Sequence, residues 1–229
     1  MINKSIRRSW DLARHIGIAG VFSVPTSFSA RKEFKSASRD SSLSYDELYL
    51  LGMRRSQYNI LLSDKSFLQY SQSGEYEFRY AYYPNPFLAA SQLADYDMRE
   101  LEDCLEAGVI NMEEYLDEVS NIDVSQHPPL LRYEYSVKQY QELKHPCSHF
   151  HIGHHVHSRW PVGRKLTPVA FSAIVFKLFY DSAWGGASFI SARPSQLSLE
   201  EYYSNLRKEC SILPHEHFST DERSQFFWS

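Results

Sequence analysis

Six of the chain's ten histidines stand at positions 145, 149, 151, 154, 155 and 157, in the stretch HPCSHFHIGHHVHSRW from His145 to Trp160, where even spreading over 229 residues would place fewer than one. Imidazole titrates near neutral pH, moves protons and binds metals, so such a concentration marks a site or an interface. The alternation around it narrows the choice. From Leu130 to Val137, residues Leu131, Tyr133, Tyr135 and Val137 share one strand face, and Arg132, Glu134 and Ser136 share the other. From Ser148 to Ile152, Phe150 and Ile152 make the apolar face and leave His149 and His151 opposite. If the two strands pair with their apolar faces buried together, Arg132, Glu134, His149 and His151 come to one polar face, because side chains alternate with a period of two. These four are the candidate catalytic set.

Spacing constrains what they can do. Same-face neighbours on a strand are roughly 6.5 to 7 Å apart, close enough for His149 and His151 to lean toward one phosphate or one ion. His145 and Cys147 continue the same parity. Two nitrogen ligands of one zinc lie no more than about 4 Å apart, so a single straight strand cannot supply three. Two chemistries fit. In the metal-free one, an imidazole takes a proton from a nucleophilic hydroxyl and the other protonates the leaving oxygen. Arg132 stabilises charge, and Arg159, Arg164, Lys165 and His145 bind substrate phosphate. In the metal-dependent one, His149, His151 and Glu134 hold a divalent ion that activates water. No carboxylate cluster accompanies the histidines, which favours the metal-free scheme with no cofactor. A polar sheet face or a histidine-rich partner interface needs no chemistry at all. His154, His155 and His157 are expected on a loop edge.

The elements that position this face can be read in order. Residues 3–19 form an amphipathic helix with Ile6, Trp10, Ala13 and Ile16 on one stripe. Residues 29–44, serine-rich and charged without a period, predict a mobile loop. Ser44 and Glu47 have capping-box spacing and start a short helix. Strands follow at 58–62, 66–71 and 76–83, separated by turn-forming pairs and ended by Pro84-Asn85-Pro86. Two acidic helices, 96–107 and 111–120, carry Asp97, Glu100, Glu102, Asp103 and Glu106, then Glu113, Glu114, Asp117 and Glu118. Beyond the histidines, Thr167-Pro168 opens a helix to about Asp181, with Phe171, Ile174, Val175, Leu178 and Phe179 as its apolar stripe. Its N-terminus beside Arg164 and Lys165 is a candidate anion site. Gly185-Gly186 turns the chain, and Ser198 with Glu201 caps a last helix to about Lys208.

Composition sets the outer bounds. With 24 basic and 28 acidic residues the net charge is −4, so no global basic field draws nucleic acid and any such binding is local. Sixteen tyrosines and fourteen phenylalanines favour sheet. Three scattered cysteines form no CxxC pair, which fits a reducing cytoplasm. The N-terminal basic and apolar run imitates a signal peptide, but Asp11, Arg14 and His15 interrupt it and Pro25 closes it. No apolar segment reaches membrane-spanning length. The expectation is a single α+β domain over 1–229: an N-terminal helix and loop (1–44), a helix and meander (45–95), an acidic helical pair (96–120), and the histidine strand pair with C-terminal helices (130–229). Its antiparallel sheet should have five to six strands with flanking helices.

The runs YNILLSDKSFLQY, YEFRYAYYPNPF, LRYEYS, HPCSHFHIG, Arg-Trp-Pro and LTPVAF, spread from about Tyr45 to Tyr180, resemble the bacterial family known as domain of unknown function 2290. That resemblance implies no activity. An arginine-tyrosine strand followed by a histidine-rich strand is also similar to small toxins of bacterial toxin–antitoxin operons. This second resemblance implies a nuclease-like effector in a bacterial conflict or antiviral defence system. Together with the face chemistry, the expected function is cleavage of nucleic acid phosphodiesters, RNA above all, with His149 and His151 as acid and base, Glu134 orienting an imidazole and Arg132 stabilising charge. The alternative is a non-catalytic subunit that binds a protein partner through the acidic helices, the histidine face or the Phe226-Phe227-Trp228 tail.

Overall fold

The computed structural model describes residues 2–90, 98–122, 128–155, 158–187, 190–192 and 195–226. His157, Phe227 and Trp228 lie outside them. The chain opens with α1 (Ile2–His15), β1 (Ala19–Phe22), α2 (Lys32–Ala37) and α3 (Tyr45–Arg54). A meander follows, β2 (Ile60–Leu62), β3 (Phe67–Gln72) and β4 (Glu77–Tyr83), then α4 (Phe87–Ala90), α5 (Met98–Glu106) and α6 (Met112–Val119). The histidine region supplies β5 (Leu131–Ser136), β6 (Ser148–Ile152), β7 (Trp160–Pro161) and β8 (Arg164–Lys165). The rest comprises α7 (Pro168–Phe179), α8 (Asp181–Gly186), β9 (Ile190–Ala192), β10 (Ser195–Leu197), α9 (Leu199–Glu209), β11 (Ser211–Ile212), a 3₁₀ turn (His215–His217) and α10 (Thr220–Phe226).

Local signals explain most boundaries. Ser44, Asn111 and Ser198 each form a complete capping box, with Glu47, Glu114 and Glu201, so α3, α6 and α9 start where two orphan amides are satisfied reciprocally. Thr167 caps α7 ahead of Pro168. Gly17, at φ +77°, stops α1 four residues earlier than the periodicity predicts, and the apolar residues after it enter β1.

Strands β1 to β7 form one antiparallel sheet in chain order. The α+β class holds, but the main sheet has seven strands rather than five or six, because β1 and the two-residue β7 add an edge on each side. Two further antiparallel pairs, β9 with β10 and β8 with β11, lie outside it. One sheet face packs on α1, α7 and α9 through a core that includes Ile6, Tyr70, Tyr80, Tyr133, Phe171 and Phe176. On the other face, α2, α3 and α6 cover the β2–β4 half through Phe34, Leu48, Tyr49, Phe67, Tyr83 and Tyr115. Strand β2 and the first four residues of β3 are therefore buried on both sides, as the continuous apolar run of β2 requires. On β5 and β6 that second face turns polar.

Four expectations need correction. The 29–44 segment holds α2, anchored by buried Phe34, so one aromatic side chain outweighs its serine-rich surroundings. Gly185 and Gly186 end α8 rather than turn the chain. Leu178 points outward from α7 and is mostly exposed. Cys147 does not share the histidine parity: Pro146 breaks the strand before β6, and the thiol is buried in the α7-side core. Cys104, Cys147 and Cys210 are free. Among the described residues no helix is long and apolar enough to cross a membrane.

Candidate active site

Pairing of β5 with β6 sets Arg132 opposite His151 and Glu134 opposite His149. Pairing of β4 with β5 sets Arg79 opposite Glu134, so Arg79, Glu134 and His149 form one cross-strand row. The imidazoles are buried, at 1% exposure for His149 and 6% for His151. The Pro146 carbonyl can only accept, so His149 Nδ1–H donates to it at 2.8 Å and the neutral ring keeps its lone pair on Nε2. That Nε2 lies 3.1 Å from His151 Nε2, which in the neutral pair donates the hydrogen. Glu134 Oε2 is 3.9 Å from His151 Nε2, and Glu134 Oε1 is 3.5 Å from Arg79 Nε.

Burial, and next the neighbouring His151, push the His149 imidazole down to about 4. Burial alone would raise the Glu134 carboxyl, but Arg79, Arg132 and then the two imidazoles outweigh it and hold the group below its ordinary value. Burial and Arg79 lower Arg132, which as a guanidinium stays a cation. At neutral pH the site therefore combines a neutral His149 and one carboxylate with at least two cations.

Arg132, Glu134 and His151 floor an open cleft of about 790 Å³ that Arg39, Lys138, His145, His155 and Arg159 also line, among others, with His149 buried behind His151. The segment after α2 forms one wall, and the Leu43 carbonyl anchors it by accepting from His154 Nε2 at 3.1 Å and His155 Nε2 at 3.0 Å. Among the described residues, the buried Nε atoms of Arg132 and Arg159 and the Nδ1 atom of His145, three residues that line the cleft, have no hydrogen-bond partner. Leaving a buried polar group unsatisfied costs about 1–3 kcal/mol each, so these atoms are a cost to the fold that a bound anion, an ion or ordered water would offset.

Of the residues singled out by sequence, Arg132, Glu134, His149 and His151 come together. Arg159 and His145 join them, His145 because the chain turns back at a Gln141–His145 bridge and sets its ring 5.1 Å from that of His149. Arg164 and Lys165 do not join them. Arg164 Nη1 donates to the Cys210 carbonyl at 2.9 Å, and Lys165 Nζ sits 4.5 Å and 4.9 Å from the Phe78 and Tyr135 rings, on the α7 side of the sheet. The expected anion site at the α7 N-terminus is thereby corrected, since both cations are engaged elsewhere. Sequence reasoning missed Arg79, Arg39 and Lys138. A signal for Arg79 existed in EFRYAYY, where it is the one basic residue of an aromatic strand.

The arrangement can take a proton at an imidazole, hold an anion at the guanidinium groups, or ligate an ion, since ligand atoms of Glu134, His149 and His151 all lie within 4.8 Å of one another. No curated protein and no solved structure matches the chain. A family model described as "Uncharacterized conserved protein (DUF2290)" matches residues 23–226 and so takes in the whole cleft, and the chain belongs to that family.

Proposed function

We propose that this protein cleaves phosphodiester bonds of nucleic acid, RNA above all, at the Glu134–His149–His151 floor, as a nuclease-like effector. One observation carries the reading: Arg132 and Arg159, whose buried Nε atoms have no hydrogen-bond partner among the described residues, line the same cleft as Glu134 and His151. Guanidinium groups neutralise phosphate by paired, charge-assisted hydrogen bonds. In a chain of net charge −4, a cleft with Arg39, Arg132, Lys138 and Arg159 is a local basic patch of the kind an anionic substrate needs.

The distance between the imidazoles changes the division of labour. An acid and a base on opposite sides of an in-line phosphorus need roughly 6 Å or more between their nitrogens, given hydrogen-bond reach to each oxygen. At 3.1 Å the two rings work from one side as one basic unit. The pair takes the proton of the attacking hydroxyl or water, the new P–O bond forms, and the leaving oxygen departs to be protonated by solvent. Arg132 and Arg159 hold the charge on the non-bridging oxygens.

The test is cleavage of labelled RNA and DNA by purified protein. Wild type should cut, and His151→Ala, folded by circular dichroism, should cut at least about a hundredfold more slowly, the usual contribution of a positioned acid–base group. Equal turnover by a folded His151→Ala would overturn the reading.

A second reading, a non-catalytic subunit, is favoured by a groove at the β6–β7 edge where Ile152, Trp160, Leu178 and Ile212 are exposed together. Absence of cleavage, with Trp160→Ser releasing a stoichiometric partner, would put it first.

A further inference from the structure

We infer that Glu134, His149 and His151 hold one divalent transition-metal ion. With metal–nitrogen bonds of about 2.0 to 2.1 Å, the two Nε2 atoms 3.1 Å apart subtend an angle of about 98° at an ion, between the octahedral and tetrahedral values. Side chains two apart on a straight strand do not converge this closely by default, since their backbones stand roughly 6.5 to 7 Å apart. The rings are turned tip to tip.

A second observation concerns orientation. His149 Nδ1–H is tied to the Pro146 carbonyl at 2.8 Å, which fixes the ring and its tautomer and aims the Nε2 lone pair into the site. This outer hydrogen bond is how proteins prepare metal-ligating histidines. The third ligand is nearly in place. Glu134 Oε2 lies 3.9 Å from His151 Nε2, inside the roughly 4 Å limit for two ligands of one ion, and the ligand atoms of all three residues lie within 4.8 Å of one another, so a small inward shift of the carboxylate completes the set. His145, though adjacent to His149, falls outside the set of mutually close ligand atoms.

Two imidazoles and one carboxylate select borderline ions such as zinc, cobalt, iron or manganese and discriminate against calcium and magnesium, which require more oxygen ligands. Three protein ligands leave positions open for water and for a phosphate oxygen; with both Nε2 lone pairs on the ion, its bound water, rather than deprotonation by the imidazole pair, would supply the nucleophile at neutral pH. In that use the inference rests on the phosphodiester reading, but binding itself is measured without substrate.

The experiment titrates full-length, chelator-stripped protein with Co²⁺, reading visible d–d absorption, and then adds Zn²⁺. Expected are bands that saturate at one Co²⁺ per chain, disappear with Zn²⁺ and persist with Mg²⁺ or Ca²⁺. The His149→Ala/His151→Ala variant should show none, Glu134→Gln should bind about tenfold or more weakly, and His145→Ala should bind as wild type. Folded wild type without bands, or a folded double variant with unchanged bands, overturns the inference. Should the double variant fail to fold, unchanged affinity in Glu134→Gln overturns it instead. Saturable binding without RNA cleavage would defeat only the nuclease reading, and chelator-resistant cleavage without bands would defeat only the ion.

Discussion

Nε2 of His149 and Nε2 of His151 meet at 3.1 Å although the residues are two apart on one strand. His149 is held from behind by the Pro146 carbonyl, and both rings are buried, His151 at the floor of the cleft. Two protonated rings cannot coexist at that distance, so the pair is neutral, or singly charged, over the physiological range.

This coupling predicts an acid-sensitive fold. An imidazole whose folded value is lowered to about 4, from about 6.5 unfolded, takes up protons preferentially in the unfolded state. Its contribution to stability is therefore complete above pH 6.5 or so and is lost as pH falls toward 4, by up to about 3 kcal/mol. The Glu134 carboxylate, held below its ordinary value, adds loss in the same direction at still lower pH. Urea unfolding at pH 7.5 and pH 5 should show a marked fall in midpoint for wild type and a smaller one for His149→Gln. Equal falls would mean that His149 is not the group responsible.

The two faces of the sheet should separate functionally. Arg132→Ala and Arg159→Ala remove cations from the cleft and should each weaken RNA binding about tenfold while reducing the dependence of binding on salt by about one charge. Arg164→Ala and Lys165→Ala act on the α7 side, where their partners are backbone carbonyls and aromatic rings. They should leave RNA affinity unchanged. Filter binding at several ionic strengths decides, and equal losses from both pairs would contradict the placement of substrate in the cleft.

A third expectation concerns stability alone. The Tyr133 hydroxyl accepts the Leu166 amide at 2.9 Å and lies 2.9 Å from Ser148 Oγ, which in turn reaches the Arg164 carbonyl at 2.8 Å. This buried chain ties β5 and β6 to the start of α7. Tyr133→Phe should cost about 1–3 kcal/mol in urea unfolding, because the Leu166 amide is left without its acceptor. Cleavage per folded molecule should not change.

How much of this was legible in the sequence depends on how local each signal is. The shared face of Arg132, Glu134, His149 and His151 follows from period-two alternation in two short runs, and the register keeps it. The capping boxes at Ser44, Asn111 and Ser198 are equally local. Arg79 escaped because its role depends on which strand lies beside β5, and that strand comes from 48 positions earlier, across the acidic helices. Arg164 and Lys165 lie apart from the histidine face because the chain leaves the sheet after β7 and pairs β8 with the distant β11. Proximity in sequence to the histidines carried no information about the face. The helical cover over β2–β4 depends on where α2 folds, which Phe34 decides through tertiary packing.

The sheet's strict register also makes the site a reporter of correct folding. A slip of one residue between β5 and β6 would turn His149 and His151 into the aromatic core around Tyr80 and Phe171 and bring Phe150 out into the cleft. Burying two imidazoles among those rings and exposing a phenylalanine are both unfavourable, so the polar residues act against misregistration as strongly as the apolar ones act for pairing. In this chain, assembling the histidine face and reaching one unambiguous native topology then depend on the same few residues, and substitutions there should lower fidelity of folding along with chemistry.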